Sequence, residues 1–369
     1  MSRYRLAFVG NSSLTMYNFR IGLLRALVKS GYDVTVIAPK DNDISLYEAE
    51  GVRFIPVDIE CRGTNPFKDA RLISQLKKIY NREKFDFVFH YTIKSVIYGS
   101  FAAALSKTSH ISVITGLGYT FIRNGLLKRI TVLLYTLSLK KAKEVWFLNT
   151  DDMRVFLDRK IVKQEKIYLL NGEGIDTTTF QPKEKKKKYF SFIFIGRILW
   201  DKGVGEYIKA ARILKKEYPE IRFQLLGALG SENPAAVKPE RMDKWVNEGI
   251  IDYLGETRDV TSYIANSSCV VLPSYREGLS RILLEAAAME RPIITSDVTG
   301  CKEVIENSIS GFLCKPKDAE NLMECMKKMY LLSEEKRVEM GKRGREIVLE
   351  KFDEKIIINQ YIEKLDEYL

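Results

Sequence analysis

The sequence predicts an α/β protein made of two doubly wound, Rossmann-like domains, and three observations carry that expectation. Short apolar runs alternate with amphipathic helical patterns, the arrangement that gives a parallel sheet covered by helices on both faces. The alternation restarts at Phe190 after PKEKKKK (182–188), a charged stretch with the composition of a solvated linker. At 369 residues the chain is also long enough for two domains of ordinary size.

Taken in order, Arg5 to Val9 reads as a strand. Phe19 to Ser30 reads as a helix with Ile21, Leu24, Leu27 and Val28 on its apolar side, and Asp33 to Ala38 as the next strand. Further strands are predicted at Phe54–Val57, Phe85–Phe89, Ile111–Thr115, Glu144–Leu148 and Lys166–Leu170. After the linker come a strand in FSFIFIGR (190–197), a loop ILWDKG, and a helix from Val204 to about Lys216. Residues 269–274 (CVVLPS) read as a buried strand, Tyr275 to Gly278 as a turn, and Ser280 to Glu290 as a helix. The expected domains are residues 1–182 and 189–350, with 351–369 containing a last helix from about Glu354 to Tyr368. Ligands are expected at the carboxyl ends of the strands.

Composition narrows the function classes. The chain is 46% hydrophobic, which supports well-formed cores. Its five cysteines (Cys61, Cys269, Cys301, Cys314, Cys325) are scattered without a C-x-x-C, and two histidines leave little for a zinc site. MSRYRLAFVGN enters a strand directly and no run of 18 apolar residues occurs, so neither a signal peptide nor a membrane span is expected. These features together predict a reducing cytosol.

The net charge of +11 lies wholly in the first half: residues 1–188 hold 32 Lys and Arg against 18 Asp and Glu. Residues 87–143 contain eight cations and no acid, among them Lys128, Arg129, Lys140 and Lys141 around the apolar stretch GLLKRITVLLYTLSLKKAK (125–143). Such a segment suits an anionic membrane surface, where each cation contributes roughly 1 kcal/mol; a core helix with solvated lysine ends is the other reading. No nucleic-acid module accompanies the basic stretch, so nucleic acid is not expected as a partner.

Two segments carry chemistry. In LPSYREGLSRILLEAAAM, seven residues separate Glu277 from Glu285 across the start of a predicted helix. The first amides of that helix, near Leu279 and Ser280, suit a phosphate. The helix is apolar nearly all round, so a carboxylate on it needs hydrogen-bond partners. Ribose hydroxyls could supply them for Glu285 and sugar hydroxyls for Glu277, although a capping role and a solvated turn would also account for the pair. In the second segment, Arg197 and Lys202 flank a loop between a strand and a helix. Two cations so placed can neutralise a diphosphate that gains charge as it leaves.

These residues resemble the retaining GT-B glycosyltransferases of family four. The matching positions are Gly196, Arg197, Lys202 and Gly203, then Pro273, Ser274, Glu277, Gly278 and Glu285, then Pro292, Asp297, Gly300, Glu303 and Gly311. The resemblance implies two domains facing across a cleft, with the last helix packed back on the first. It implies that Arg197 and Lys202 hold the donor diphosphate with Gly278, Leu279 and Ser280, that Glu277 holds the donor sugar and that Glu285 holds the ribose. Arg197, Lys202 and Glu277 are the expected catalytic residues, and no metal or other cofactor is required beside the UDP-sugar.

The first domain is expected to bind the acceptor. GNSSLTMYNFR (10–20) reads as a polar loop offering Gly10, Asn11 and Ser12, with Tyr17 and Arg20 beyond. FHYTIKSVIYGS and TGLGYTF follow predicted strands and add Lys94 as a cation for a phosphate, with Gly116 and Gly118 allowing close backbone approach. Family members often carry a His where this chain has Ile93, so His90, three residues earlier, is expected to be structural, as is His110. With NPF (65–67) and LGALGSENP (226–234), these segments resemble bacterial N-acetylgalactosaminyltransferases that extend polyprenyl-diphosphate-linked sugars. That resemblance implies a UDP-sugar donor, a polyprenyl-diphosphate-linked acceptor and a peripheral position on the inner face of the cell membrane.

Competing readings are another donor such as UDP-galactose or UDP-glucose, a nucleotide-sugar epimerase, a phosphorylase with a pyridoxal cofactor, and a non-catalytic lipid-binding partner. Asp41-Asn42-Asp43 matches a D-x-D metal motif in form, but its place after an early strand predicts a solvated turn.

Overall fold

A computed structural model describes residues 4–41, 44–60, 63, 65–117, 125–184, 186, 189–230 and 233–369. Asn42, Asp43 and Gly118 lie outside the described residues. The chain divides into two compact units, one formed by Met1–Gly174 with Glu354–Leu369 and the other by Ile175–Asp353.

The first unit is built on seven strands: β1 (Arg5–Val9), β2 (Asp33–Ala38), β3 (Arg53–Pro56), β4 (Phe87–Tyr91), β5 (Ser109–Ile114), β6 (Glu144–Phe147) and β7 (Ile167–Leu169). They pair in parallel in the order β3-β2-β1-β4-β5-β6-β7. The runs are almost continuously apolar because both faces are covered. Leu6, Phe8, Val36, Phe87 and Phe89 point into one core, while Ala7, Val9, Ile37 and Val88 point into another, as alternation along a strand requires. The helix Glu354–Tyr368 completes the first of these cores with Ile357, Tyr361 and Leu365.

The second unit has six strands: β8 (Ser191–Ile195), β9 (Arg222–Leu226), β10 (Asp252–Tyr253), β11 (Cys269–Leu272), β12 (Ile293–Ser296) and β13 (Gly311–Cys314). Their order is β10-β9-β8-β11-β12-β13, again with parallel pairing. In each sheet the order reverses once, beside β1 and β4 in the first and beside β8 and β11 in the second. Ligands of such sheets bind at that reversal, beyond the carboxyl ends of the strands.

Three sequence expectations need correction. The passage between units falls at 174/175 and not at 182–188. Ile175 donates its N–H to the Phe352 carbonyl at 2.9 Å, and Ile175 and Phe180 are buried in the second unit's core. Two isolated apolar residues in a polar stretch have no periodicity to announce them. The first helix runs over Ser13–Lys29, so the loop after β1 is short and Tyr17 and Arg20 are helical. Finally, β4 ends at Tyr91, which places His90 inside a strand.

Candidate active site

At the switch point of the second sheet, two loops are held against each other. The loop after β8 carries Arg197 and Lys202 and ends at Gly203, which adopts φ +77°. A Cβ at Gly203 would lie 2.0 Å from the Pro273 carbonyl oxygen, so this position needs glycine both for its conformation and for the close approach. Asp201 accepts the Tyr275 N–H at 2.9 Å, tying the same loops together.

The segment after β11 is pinned at its far end too. Glu277 donates its N–H to the Thr299 carbonyl at 3.0 Å, and a Cβ on Gly300 (φ +80°) would lie 2.5 Å from the Glu277 backbone. The Glu277 side chain forms an ion pair with Lys202, and the two are only 14% and 18% exposed. Ser274, wholly buried, donates its hydroxyl to the same oxygen, Oε1, at 2.6 Å. Arg197 is exposed and its side chain has no partner among the described residues. The structure therefore brings Lys202 and Glu277 together and leaves a second cation on the same loop available.

The following helix is Arg281–Ala288, capped by Ser280 without a side-chain hydrogen bond. It begins one residue later than the sequence suggests, and the Ser280 N–H is already given to the Gly300 carbonyl at 2.7 Å. Ser280 therefore does not offer a free amide to an anion. Gly278 and Leu279 are half-buried on the approach. Glu285 is buried and accepts a hydrogen bond from Arg281 Nε at 2.8 Å. Burial raises its pKa, and the Arg281 charge opposes that rise.

The acceptor residues expected in the first unit separate into two groups. Gly10 is buried, with its N–H on the Ile37 carbonyl at 3.1 Å. Asn11 and Tyr17 are half-buried, and the Tyr17 ring meets Tyr47 edge-on at 5.5 Å. Gly116, at φ +144°, lies two residues beyond the end of β5. Arg20 and Lys94, by contrast, are engaged within the unit. Arg20 is 4% exposed, ion-paired with Glu173 and stacked 3.8 Å over the Tyr91 ring. Lys94 lies 3.0 Å from Asp69, whose other oxygen takes the Tyr98 hydroxyl at 2.6 Å. Both cations thus have carboxylate partners within the unit, which no local pattern announces because those partners are distant in the chain.

His90 is fully buried and shares a 3.0 Å hydrogen bond with the Tyr80 hydroxyl. Burial, reinforced by His110, holds its pKa well below the ordinary value, and burial takes His110 down to about 4. Asp41 is likewise accounted for: its carboxylate accepts the amides of Ser13 at 2.7 Å and Leu14 at 3.1 Å and the Ser13 hydroxyl. It caps a helix, and no group of three potential metal-ligating side chains occurs among the described residues.

The helix Leu126–Ser138 turns an apolar stripe outward. Leu126, Ile130, Leu133 and Leu137, spaced one helical turn apart, are 42–73% exposed, while Thr131, Tyr135 and Ser138 face inward. It is therefore not a core helix, although the sequence left that reading open. No helix among the described residues is long and apolar enough to cross a membrane.

Comparison with known proteins places this geometry. Residues 176–347 match the family described as glycosyl transferases group 1, and residues 5–149 match glycosyl transferase 4-like proteins. An N,N'-diacetylbacillosaminyl-diphospho-undecaprenol alpha-1,3-N-acetylgalactosaminyltransferase of Campylobacter jejuni is 30% identical over 99% of both chains. A UDP-Gal:alpha-D-GlcNAc-diphosphoundecaprenol alpha-1,3-galactosyltransferase of Escherichia coli is 24% identical over 80% of this chain and 79% of its own. The Anabaena protein HepE, solved with UDP and glucose, shares the fold with a TM-score of 0.81 at 16% identity, over 99% of this chain and 100% of its own. With strand order, loop geometry and whole-length similarity in agreement, the chain belongs to the group 1 glycosyl transferases, with the GT-B fold.

Proposed function

We propose that this hexosyltransferase moves a hexosamine, N-acetylgalactosamine, from its UDP-sugar to a sugar on a polyprenyl diphosphate, with retention, in bacterial surface or protein glycan assembly. The observation that carries the reading is the Lys202–Glu277 pair beside the exposed Arg197, at the switch point of a Rossmann-like sheet. The names of the Campylobacter and Escherichia relatives support the acceptor class. The Escherichia relative uses UDP-galactose by name, so UDP-galactose is the second donor to test.

In this reading the UDP diphosphate lies against Arg197, Lys202 and the N-terminal end of the helix Arg281–Ala288, and Glu285 takes the ribose. Glu277 accepts a hydrogen bond from a sugar hydroxyl. The acceptor hydroxyl attacks the anomeric carbon on the face from which the diphosphate departs. The bond from carbon to diphosphate oxygen breaks, the new glycosidic bond forms, and the acceptor proton passes to the leaving phosphate. The cations and the helix end stabilise the charge that develops, the part a metal plays elsewhere. Turnover is therefore expected to survive a chelator. Gly10, Asn11, Tyr17 and Gly116 of the first unit are proposed to contact the acceptor.

The outward stripe of Leu126, Ile130, Leu133 and Leu137, with Lys128, Arg129, Lys140 and Lys141 nearby, supports docking on the anionic inner face of the cell membrane. Reversing those four charges should abolish salt-sensitive binding to anionic vesicles; indifference would remove the membrane from the reading.

The decisive measurement is transfer to a short polyprenyl-diphosphate sugar across a panel of nucleotide sugars. Glu277→Ala, Arg197→Ala and Lys202→Ala should each lower turnover roughly 100-fold or more, as loss of one charge-stabilising group does. Near-normal turnover in all three would overturn the assignment.

A further inference from the structure

Glu277 is held more tightly than a sugar-binding carboxylate requires, and the restraint is asymmetric. Its backbone is fixed at one end by the Thr299 carbonyl and the close approach of Gly300. At the other end of the Ser274–Glu277 segment, the Pro273 carbonyl is packed against Gly203. On the side chain, the Lys202 ammonium and the Ser274 hydroxyl both bind Oε1. Oε2 has no partner among the described residues and is not among the buried unpartnered atoms.

We infer that Ser274 is a positioning residue: with Lys202 it locks Oε1 of Glu277, so that Oε2 alone is presented to a hydroxyl of the donor sugar. The inference rests on the reading of Glu277 as the donor-sugar ligand. It adds a reason for the seryl hydroxyl three residues upstream. A carboxylate free to rotate presents either oxygen over a range of angles and accepts hydroxyls at several positions. One oxygen held by a charged and a neutral donor, in a site largely closed to water, fixes both the plane of the carboxylate and the direction of its remaining lone pairs. Ser274 contributes no exposed surface of its own and cannot touch the ligand, so its effect passes wholly through Glu277.

The same arrangement bears on the chemical step. An oxygen that already takes two hydrogen bonds, one of them from an ammonium, is a poor nucleophile, and it draws electron density from its partner oxygen. Glu277 is thereby shaped to accept a hydrogen bond and not to form a covalent sugar intermediate.

The test compares Ser274→Ala, Ser274→Thr, Glu277→Ala and the Ser274→Ala/Glu277→Ala double variant. The readouts are turnover, UDP affinity, melting temperature and preference between donors epimeric at single hydroxyls. Ser274→Ala should lower kcat roughly tenfold, less than the hundredfold that a misplacement of about 1 Å can cost. UDP affinity should stay within about twofold, because the diphosphate contacts do not involve the serine. Discrimination between epimeric donors should narrow. Adding Ser274→Ala to Glu277→Ala should cost nothing more, since a residue acting only through another is non-additive with it. Ser274→Thr keeps the hydroxyl and should retain most of the turnover if the variant melts like the wild type.

Glu277→Ala inactive with Ser274→Ala fully active and equally selective would overturn the inference and leave the proposed function standing. UDP affinity and melting temperature falling together with turnover in Ser274→Ala would reduce the serine to a packing role, as would a folded Ser274→Thr no better than alanine. Wild-type turnover in Glu277→Ala would instead bring down the reading on which the inference stands.

Discussion

The two sheets have the same strand order around their switch points, yet the helix after β1 and the helix after β11 begin in opposite ways, while the helix after β4, Ile93–Ser106, lacks a side-chain cap as the latter does. After β1, the helix Ser13–Lys29 is closed by the chain itself: the Asp41 carboxylate sits on the amides of Ser13 and Leu14, and the Ser12 hydroxyl takes that of Thr15. After β11, Ser280 gives the helix Arg281–Ala288 no side-chain cap, and its first turn carries no acid. The positive end of one helix dipole is thus occupied by a resident anion, and that of the other meets no acid of its own first turn. Cations divide too. Arg20 and Lys94 of the first unit are engaged by Glu173 and Asp69, and Lys202 of the second by Glu277, whereas Arg197 of the second is exposed without a side-chain partner among the described residues. Strand order alone does not distinguish the two sheets; the Asp41 carboxylate on one helix end and the exposed Arg197 at the other switch point do.

That contrast can be broken in four ways, from the largest expected effect to the smallest. Arg20→Ala removes one partner of a buried ion pair and should destabilise the first unit by about 3 kcal/mol. UDP affinity in the second unit should not change; a selective loss of acceptor binding with unchanged stability would return Arg20 to the acceptor site. Ser280→Asp places an acid at the open helix end and should weaken UDP binding about tenfold in calorimetric titration. Unchanged affinity would show that the diphosphate lies elsewhere.

The third test uses pH. Both histidines of the chain, His90 and His110, are buried in the first unit, and burial lowers the pKa of each. Below the unfolded value near 6.5, the unfolded state binds protons that the folded state refuses until about pH 4 for His110 and well below 6.5 for His90. Stability of this unit is therefore full above pH 6.5 and falls as pH drops, by at most roughly 1.4 kcal/mol per pH unit for each histidine. Hydrogen exchange between pH 7 and 5 should show the first unit losing protection while the second, without histidine, keeps it. Parallel loss in both would refute the assignment.

The smallest effect belongs to Asp41. Burial works against its charged form, but hydrogen bonds from Ser13, Ser12 and the Leu14 amide outweigh it and hold the carboxyl below its usual range. Asp41→Ala should cost about 1 kcal/mol, as loss of a helix cap does. Because the folded pKa is depressed, that difference from wild type should be constant above about pH 4 and disappear as pH falls through the folded value. A gap that persisted in strong acid would mean that the charge is not what stabilises the helix.

Much of this was legible in the chain. The strands of both sheets announce themselves because parallel strands buried on both faces must be apolar throughout. Arg197, Lys202, Glu277 and Glu285 stand out because charges beside buried strands and helices require partners. The remainder depended on separation along the chain. Asp41 is 28 residues from the helix it caps, and Glu173 is 153 residues from Arg20. No local pattern carries such pairings, so the helix was expected to begin at Phe19 and the cation to be available. The Ser280 amide shows the same limit at shorter range, since only the fold brings the Gly300 carbonyl to it. Ser274 was visible as a motif residue, but its role needed the orientation of one carboxylate oxygen.

The helix Glu354–Tyr368 has a consequence for how the protein is made. It supplies Ile357, Tyr361 and Leu365 to a core whose other members lie before residue 175, so the first unit is complete only when residues 354–368 have left the ribosome. The second unit, continuous from Ile175 to Asp353, has all its residues earlier. At roughly 5–20 residues per second, the first sheet waits on the order of 10 to 40 seconds for its missing side chains. In the order of synthesis, the domain begun first is finished last. During that interval its unfinished apolar face is what a nascent-chain chaperone would meet.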